Sequence, residues 1–298
     1  RVVRIDIEEG YSKWMLNSLL ERWNLRPDSV FLVKRASMID FTGLWQIVGN
    51  KRFKERLPQI PDPVKPLSYP EEGRADIFEV LKERDILLHH PYNNIDSILD
   101  LIENAAEDPN VMAIKMTIYR LAKNSRITKA LLRAAENGKH VSVLFEVKAR
   151  FDEEANLYWK SVLEEEGVKV ILGIPNMKVH AKVCVIKKRT GNKTIQYGFV
   201  STGNLNEKSS AIYSDFCLLT SNRSIMADIN RIFFYLENPV ARKHTLGECK
   251  TLMVSPVNMR TQINLLIDKE IKEAKKGKPA KIVLKLNSLS DTVLVDKL

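Results

Sequence analysis

The sequence predicts an α/β protein with a mixed, largely parallel sheet flanked by helices, and three observations carry that expectation. Between residues 111 and 236, apolar runs of strand length alternate with stripes of helical period, the pattern of a parallel sheet covered on both faces. Gly138 and Gly167 stand where two of those helices must stop. The chain has 298 residues, 44% of them hydrophobic, enough for roughly two domains with cores of their own.

The elements follow in order. Residues 2–7 alternate like a strand, 11–23 have helical spacing, and 29–33 with 41–48 suggest a further strand and helix. Five of the twelve prolines, Pro58, Pro61, Pro63, Pro66 and Pro70, then fall within 13 residues. Proline fixes φ and removes a backbone donor, so a domain boundary is expected there. Residues 111–118 form an apolar run suited to a buried strand, and Ile127, Ala130, Leu131, Ala134 and Ala135 recur at helical spacing. Strand 141–147 follows, then a helix through Ala155, Trp159, Val162 and Leu163, and strands at 168–172, 179–186, 195–201 and 212–220. Ile225, Ile229, Ile232, Phe233 and Leu236 mark a closing helix. Beyond a lapse at 239–248, strand 252–254, a helix through Ile263 to Ala274 and strand 282–286 read as a new β-α-β unit.

Composition excludes a disordered tail, a collagen and a disulfide miniprotein. Cys184, Cys217 and Cys249 are odd in number and far apart, which suits a reducing cytoplasm. No window approaches 18 consecutive apolar residues, and the first 30 residues carry Asp6, Glu8, Glu9 and Glu21. Neither a membrane span nor a signal peptide is expected, so the location expected is cytoplasmic, with at most peripheral attachment to a membrane. The 47 Lys and Arg against 37 Asp and Glu give a formal charge of +10, a field that attracts anions without choosing among them. The start at Arg1 and the end at Leu298 read as those of a piece of a longer polypeptide.

The most informative stretch is Lys-Val-His-Ala-Lys at 178–182. In a strand, His180 and Lys182 project on one side, about 6–7 Å apart. An imidazole beside a permanent cation suits phosphoryl chemistry, because the cation offsets the charge of the polyanion under attack. The competing interpretation of an arbitrary His-x-Lys is a hydrogen-bonded structural histidine beside a lysine reaching for water. The next strand runs into Ser-Thr-Gly-Asn-Leu-Asn at 201–206. Ligands in open α/β sheets sit off the carboxyl ends of strands. There Asn204 and Asn206 offer neutral donors to an imidazole or a phosphate, although Gly and Asn also favour plain turns. Arg120 and Arg150 close two strands of the same sheet, and guanidinium suits bidentate phosphate contacts. Lys115 and Lys148 are weaker candidates for that rim.

Six motifs then carry a resemblance: His-Pro-Tyr at 90–92, Ala-Ile-Lys-x-Thr-x-Tyr-Arg at 113–120, Glu-x-Lys-Ala-Arg-Phe-Asp-Glu-Glu-Ala-Asn at 146–156, Lys-x-His-Ala-Lys at 178–182, Thr-Gly-Asn-x-Asn at 202–206 and Tyr-x-Asp at 213–215. In order and spacing they closely resemble the polyphosphate kinase family, and the similarity extends through Ser255-Pro256 and 286–289. The resemblance implies that residues 1–67 are the end of a head domain. It makes 68–247 a first phospholipase D-like catalytic domain and 248–298 the start of a second one, cut short.

It also implies an ATP:polyphosphate phosphotransferase in which His180 is the phosphohistidine nucleophile and Lys182 stabilises charge. Tyr213 matches a nucleotide contact, and Arg120 and Arg150 match positions assigned to Mg²⁺. Arginine has no lone pair to offer a metal, so these two are expected to hold the phosphate oxygens that Mg²⁺ binds. The implied partners are ATP or ADP and inorganic polyphosphate, with a homo-oligomer when full length and no specific nucleic acid. A second histidine and further nucleotide contacts are expected in a carboxy-terminal portion outside these residues, which leaves the fragment with half a site, inactive alone on that expectation.

Two alternatives come from other classes. One is a phospholipase D-superfamily phosphodiesterase, although that pattern places an Asp a few residues after His-x-Lys, where this chain has Lys187 and Lys188. The other is a non-catalytic module that binds polyanions through Lys269, Lys272, Lys275, Lys276 and Lys278.

Overall fold

The computed structural model describes residues 2–33, 44–57, 62–65, 76–119, 125–146, 153–175, 177–286 and 288–298. They fall into two compact units, Arg1–Pro61 and Asp62–Leu298. In the first, strand β1 (Ile5–Glu8) pairs in parallel with β2 (Val30–Val33). Helix α1 (Lys13–Trp23) connects them; Ser12 caps its start and Asn24 ends it in the left-handed region at φ 50°. Short α2 (Leu44–Val48) follows.

The second unit is built on a seven-stranded mixed sheet. Its strands are β3 (Ile86–His90), β4 (Val111–Ile118), β5 (His140–Phe145), β6 (Lys169–Leu172), β7 (Lys182–Thr190), β8 (Lys193–Ser201) and β9 (Asp215–Thr220), in spatial order β3-β9-β8-β7-β4-β5-β6. The sheet is mixed as expected, but its parallel part is confined to β4, β5 and β6. The remaining neighbours are antiparallel. The cause is local: β7 and β8 join through a tight hairpin in which Gly191 takes φ 58°, a direct turn that needs no crossover helix.

One face of the sheet packs against α3 (Ile77–Glu83), α4 (Asp96–Glu107), α5 (Arg126–Glu136) and α6 (Glu153–Glu165), the other against α8 (Arg223–Glu237). Strand β7 shows the period of two directly. Cys184 and Ile186 enter the first core, Val183 and Val185 the second. The α5 stripe Ile127, Ala130, Leu131 and Ala134 is buried as its spacing predicts. Gly138 (φ 75°) and Gly167 (φ 77°) follow α5 and α6 in the left-handed conformation expected of helix stops. All three cysteines are buried and free. Among the described residues, no helix is long and apolar enough to cross a membrane.

Neither 252–254 nor 282–286 forms a strand. For 252–254 the reason is visible at 250–252. The amides of Lys250, Thr251 and Leu252 all donate to one carboxylate oxygen of buried Asp228 on α8, at 3.0, 2.7 and 2.9 Å, so no ladder can use them. Helix α9 (Met259–Lys275) follows, then irregular chain and α10 (Thr292–Lys297).

Candidate active site

The register gathers one set of strand ends along a single edge of the sheet. Ile118 at the end of β4 lies beside Phe145 at the end of β5. Lys182 at the start of β7 pairs with Ser201 at the end of β8, Ser201 with Cys217 on β9, and Asp215 with His90 on β3. Tyr119, Glu146, His180, Lys182, Thr202 and Asp215 therefore occupy one edge, which is the carboxyl end of β4, β5 and β8.

His180 does not lie in a strand. Residues 178–181 approach β7 as irregular chain because side chains take the place of ladder partners. The Val179 amide donates to Glu146 Oε2 at 2.6 Å, and Glu146 is itself buried. The Thr117 hydroxyl donates to the Ala181 carbonyl at 2.7 Å and accepts from the Val183 amide at 3.0 Å. The backbone on both sides of His180 is thus tethered while its imidazole stays exposed.

Lys182 turns the other way. It is 3% exposed, and its Nζ donates to the backbone carbonyl of His180 at 2.8 Å. Burial lowers its pKa to about 8, against the pull of Asp215 and with the push of Lys178. The permanent cation expected beside His180 is therefore a titrating one, because an ammonium sealed from water pays to keep its charge. The His180 pKa is also lowered, first by burial, then by the charges of Lys182 and Lys178, with Glu146 opposing. The shift favours the neutral form of the imidazole.

The aromatic floor of this group is Tyr119, just past β4. Its ring meets the His180 ring edge-on, with centroids 5.1 Å apart and planes at 77°. Lys182 Nζ lies 4.9 Å and Lys178 Nζ 5.3 Å from the same centroid.

The other expected residues divide. Asn204 is half-buried, and its Oδ1 has no hydrogen-bond partner among the described residues. Asn206 has a structural duty, accepting the Ser209 amide at 3.3 Å as the short helix α7 (Glu207–Ser210) begins. Tyr213 stands 63% exposed in the connection from α7 to β9, on the same edge. Arg120, Arg150 and Lys148 lie outside the described residues. Lys115 is not a rim residue, since it is paired with Glu237 of α8 at 2.6 Å.

Sequence reasoning assigned no role to Tyr119, Glu146, Thr117 or Asp215, although each lies within or beside a motif that it quoted. The available signal was polarity in apolar surroundings: Thr117 closes the run of β4 and Glu146 directly follows that of β5. Asp215 accepts the Thr202 hydroxyl at 2.8 Å. Lys188, one of the two lysines standing where the phosphodiesterase pattern calls for an Asp, is buried toward the far end of β7. There it pairs with Asp108 at 2.6 Å and Asp76 at 3.3 Å, a structural clasp.

No group of three or more His, Cys, Asp and Glu side chains able to hold a metal ion occurs among the described residues. Those residues therefore do not fit a protein-held Mg²⁺ cage.

The fold and site together define an α/β protein whose sheet edge presents a histidine flanked in sequence by two lysines. Residues 76–242 match the family model for polyphosphate kinase C-terminal domain 1, and 252–298 match that for polyphosphate kinase C-terminal domain 2. The chain belongs to the polyphosphate kinase family. It is 47% identical over 227 residues to a polyphosphate kinase of Vibrio parahaemolyticus, covering 76% of this chain and 32% of that protein. Identity to the Escherichia coli K12 polyphosphate kinase is 44% over 221 residues, again covering 32% of the relative. The crystal structure of polyphosphate kinase from Porphyromonas gingivalis matches with a TM-score of 0.71 at 34% identity, over 90% of this chain and 43% of that one. The chain thus spans 32% of the length of the curated relatives it matches.

Proposed function

We propose that this chain carries the phosphoryl-accepting site of a polyphosphate kinase, with His180 as the nucleophile. Its unprotonated ring nitrogen attacks the γ-phosphorus of ATP, an N–P bond forms, and the bond from that phosphorus to the β–γ bridging oxygen breaks as ADP leaves. A terminal oxygen of polyphosphate then attacks the same phosphorus and the imidazole is regenerated. The reverse sequence makes ATP from polyphosphate. Residues 68–247 are the catalytic domain on this reading, 1–67 end a head domain and 248–298 begin a second phospholipase D-like domain.

The observation that carries the reading is the contrast between His180 and its frame: an exposed residue on a backbone tethered by Glu146 and Thr117, its pKa lowered by desolvation and then by the charges of Lys182 and Lys178. Lys182 and Lys178 supply positive charge where the transferring phosphoryl group carries its negative charge, the largest contribution available in such transfers. Asn204 offers its amide to the same substrate, Tyr213 the nucleotide contact, and Arg120 with Arg150 the phosphate oxygens. Magnesium belongs to this reading through the nucleotide's own phosphates, the usual way an octahedral Mg²⁺ is held. The location proposed is cytoplasmic and the full-length assembly a homo-oligomer.

The test is ATP-dependent polyphosphate synthesis by the full-length protein and its His180→Asn variant. Synthesis lost only in the variant supports the reading. Synthesis retained in a folded variant overturns it.

A further inference from the structure

Tyr119 is one ring that touches all three groups on which the proposed chemistry depends. It is 9% exposed, held just after β4 where that strand runs beside β7. Its edge-to-face packing on His180 is the favoured aromatic geometry. The ammonium groups of Lys182 and Lys178 both lie within the roughly 6 Å over which a ring quadrupole attracts a cation. We propose that Tyr119 is a positioning residue that fixes the His180 imidazole against the Lys182 ammonium and helps that buried ammonium to keep its charge. The inference rests on the reading of His180 as phosphoryl acceptor for its consequence in catalysis, but not for its effect on Lys182.

The physical need is specific. Lys182 is buried and spends one donor on the His180 carbonyl. Among the described residues, the charges that act on it are Asp215 at the start of β9, which favours the ammonium, and Lys178 on the approach to β7, which opposes it, while Lys182, Lys178 and Glu146 act on His180. Glu146 accepts the Val179 amide, and Asp215, whose charge favours the ammonium, also accepts the Thr202 hydroxyl, so the ring's π density adds to a carboxylate attraction that is shared. Two lysines beside one ring also repel each other, and π density that attracts both offsets that repulsion. An aliphatic side chain of similar size would fill the space and supply none of this.

The test uses the full-length protein with Tyr119→Phe, Tyr119→Leu and a Phe series at 119 with increasing ring fluorination. Fluorine drains the quadrupole at nearly constant shape, so a Leu variant that fails to fold leaves the series intact. The readouts are the Lys182 titration midpoint by NMR of a 13Cε label without ATP, and the pH profile of His180 phosphorylation. The expected result is a wild-type midpoint in Tyr119→Phe. Under Leu or full fluorination the midpoint should fall by about one pH unit, and the alkaline limb of phosphorylation should move with it. A midpoint unchanged across the series overturns the inference. Wild-type protein that never phosphorylates on His180 overturns the acceptor reading instead, and the NMR series still decides the role of Tyr119.

Discussion

Lys182 donates an ammonium proton to the backbone carbonyl of His180 at 2.8 Å, so the cation is tied to the histidine's own peptide. The two side chains consequently live in different media. The imidazole is exposed, the ammonium sealed, and their proton affinities are displaced in ways that define a working pH window.

Phosphorylation of His180 by ATP should follow a bell-shaped pH profile. The rate climbs as the imidazole loses its proton, below the ordinary value of 6.5, and falls as Lys182 loses its charge at about 8. Measuring initial labelling rates from pH 5 to 10 at fixed ionic strength checks this. An alkaline limb near the ordinary lysine value of 10.5 would contradict it.

Lys182 also leaves a mark on stability. Its folded-state pKa lies below the unfolded one, so above pH 8 the unfolded chain binds the extra proton and stability rises with pH, by at most about 1.4 kcal/mol per unit. Urea unfolding of wild type and Lys182→Met should therefore show the difference moving in favour of wild type between pH 8 and 10.

Gly203 is fixed by Asp215. A Cβ at 203 would lie 2.6 Å from the Asp215 carboxylate and 2.7 Å from its Cβ. Gly203→Ala should destabilise the domain by about 1–3 kcal/mol through overpacking and slow phosphorylation. Adding Asp215→Gly removes the obstructing side chain, so thermal unfolding of the double variant should recover part of the loss.

Thr117→Val keeps shape but strips both hydrogen bonds that hold the backbone on the carboxyl side of the histidine. A buried Val183 amide left unsatisfied costs about 1–3 kcal/mol. The labelling rate should fall while the variant stays folded by circular dichroism.

Asp228 is 1% exposed and serves three amides and Arg231. Asp228→Ala leaves three amides without their acceptor and removes one of the two carboxylates beside the Arg231 guanidinium, a loss of about 1–3 kcal/mol for each buried donor left unsatisfied. Hydrogen exchange should accelerate first at 250–252.

Much of this was legible in the sequence where a single element decides the outcome. The α5 stripe and its Gly138 stop needed only period and a left-handed residue. What was hidden depended on distant partners. The antiparallel pairing of β4 with β7 brings Thr117 to Ala181 across 64 residues, and that contact releases His180 from the strand that its sequence predicts. Strand β3 and helices α3 and α4 went unremarked because only two residues separate α3 from β3, without a Gly or Pro between them. The apolar run at 252–254 reads as a strand until Asp228 claims its first amide. The motifs pointed to His180 and Lys182 as candidates. The burial of Lys182, and hence its titration, came only from the packing.

The most direct test of the central claim is a rapid-quench experiment on the full-length protein with γ-labelled ATP, followed by mass spectrometry of the peptide containing residue 180. Acid-labile phosphate on His180 should form at least as fast as steady-state turnover, and added polyphosphate or ADP should discharge it. Turnover without phosphate on His180, or phosphate that forms more slowly than turnover, would contradict the account.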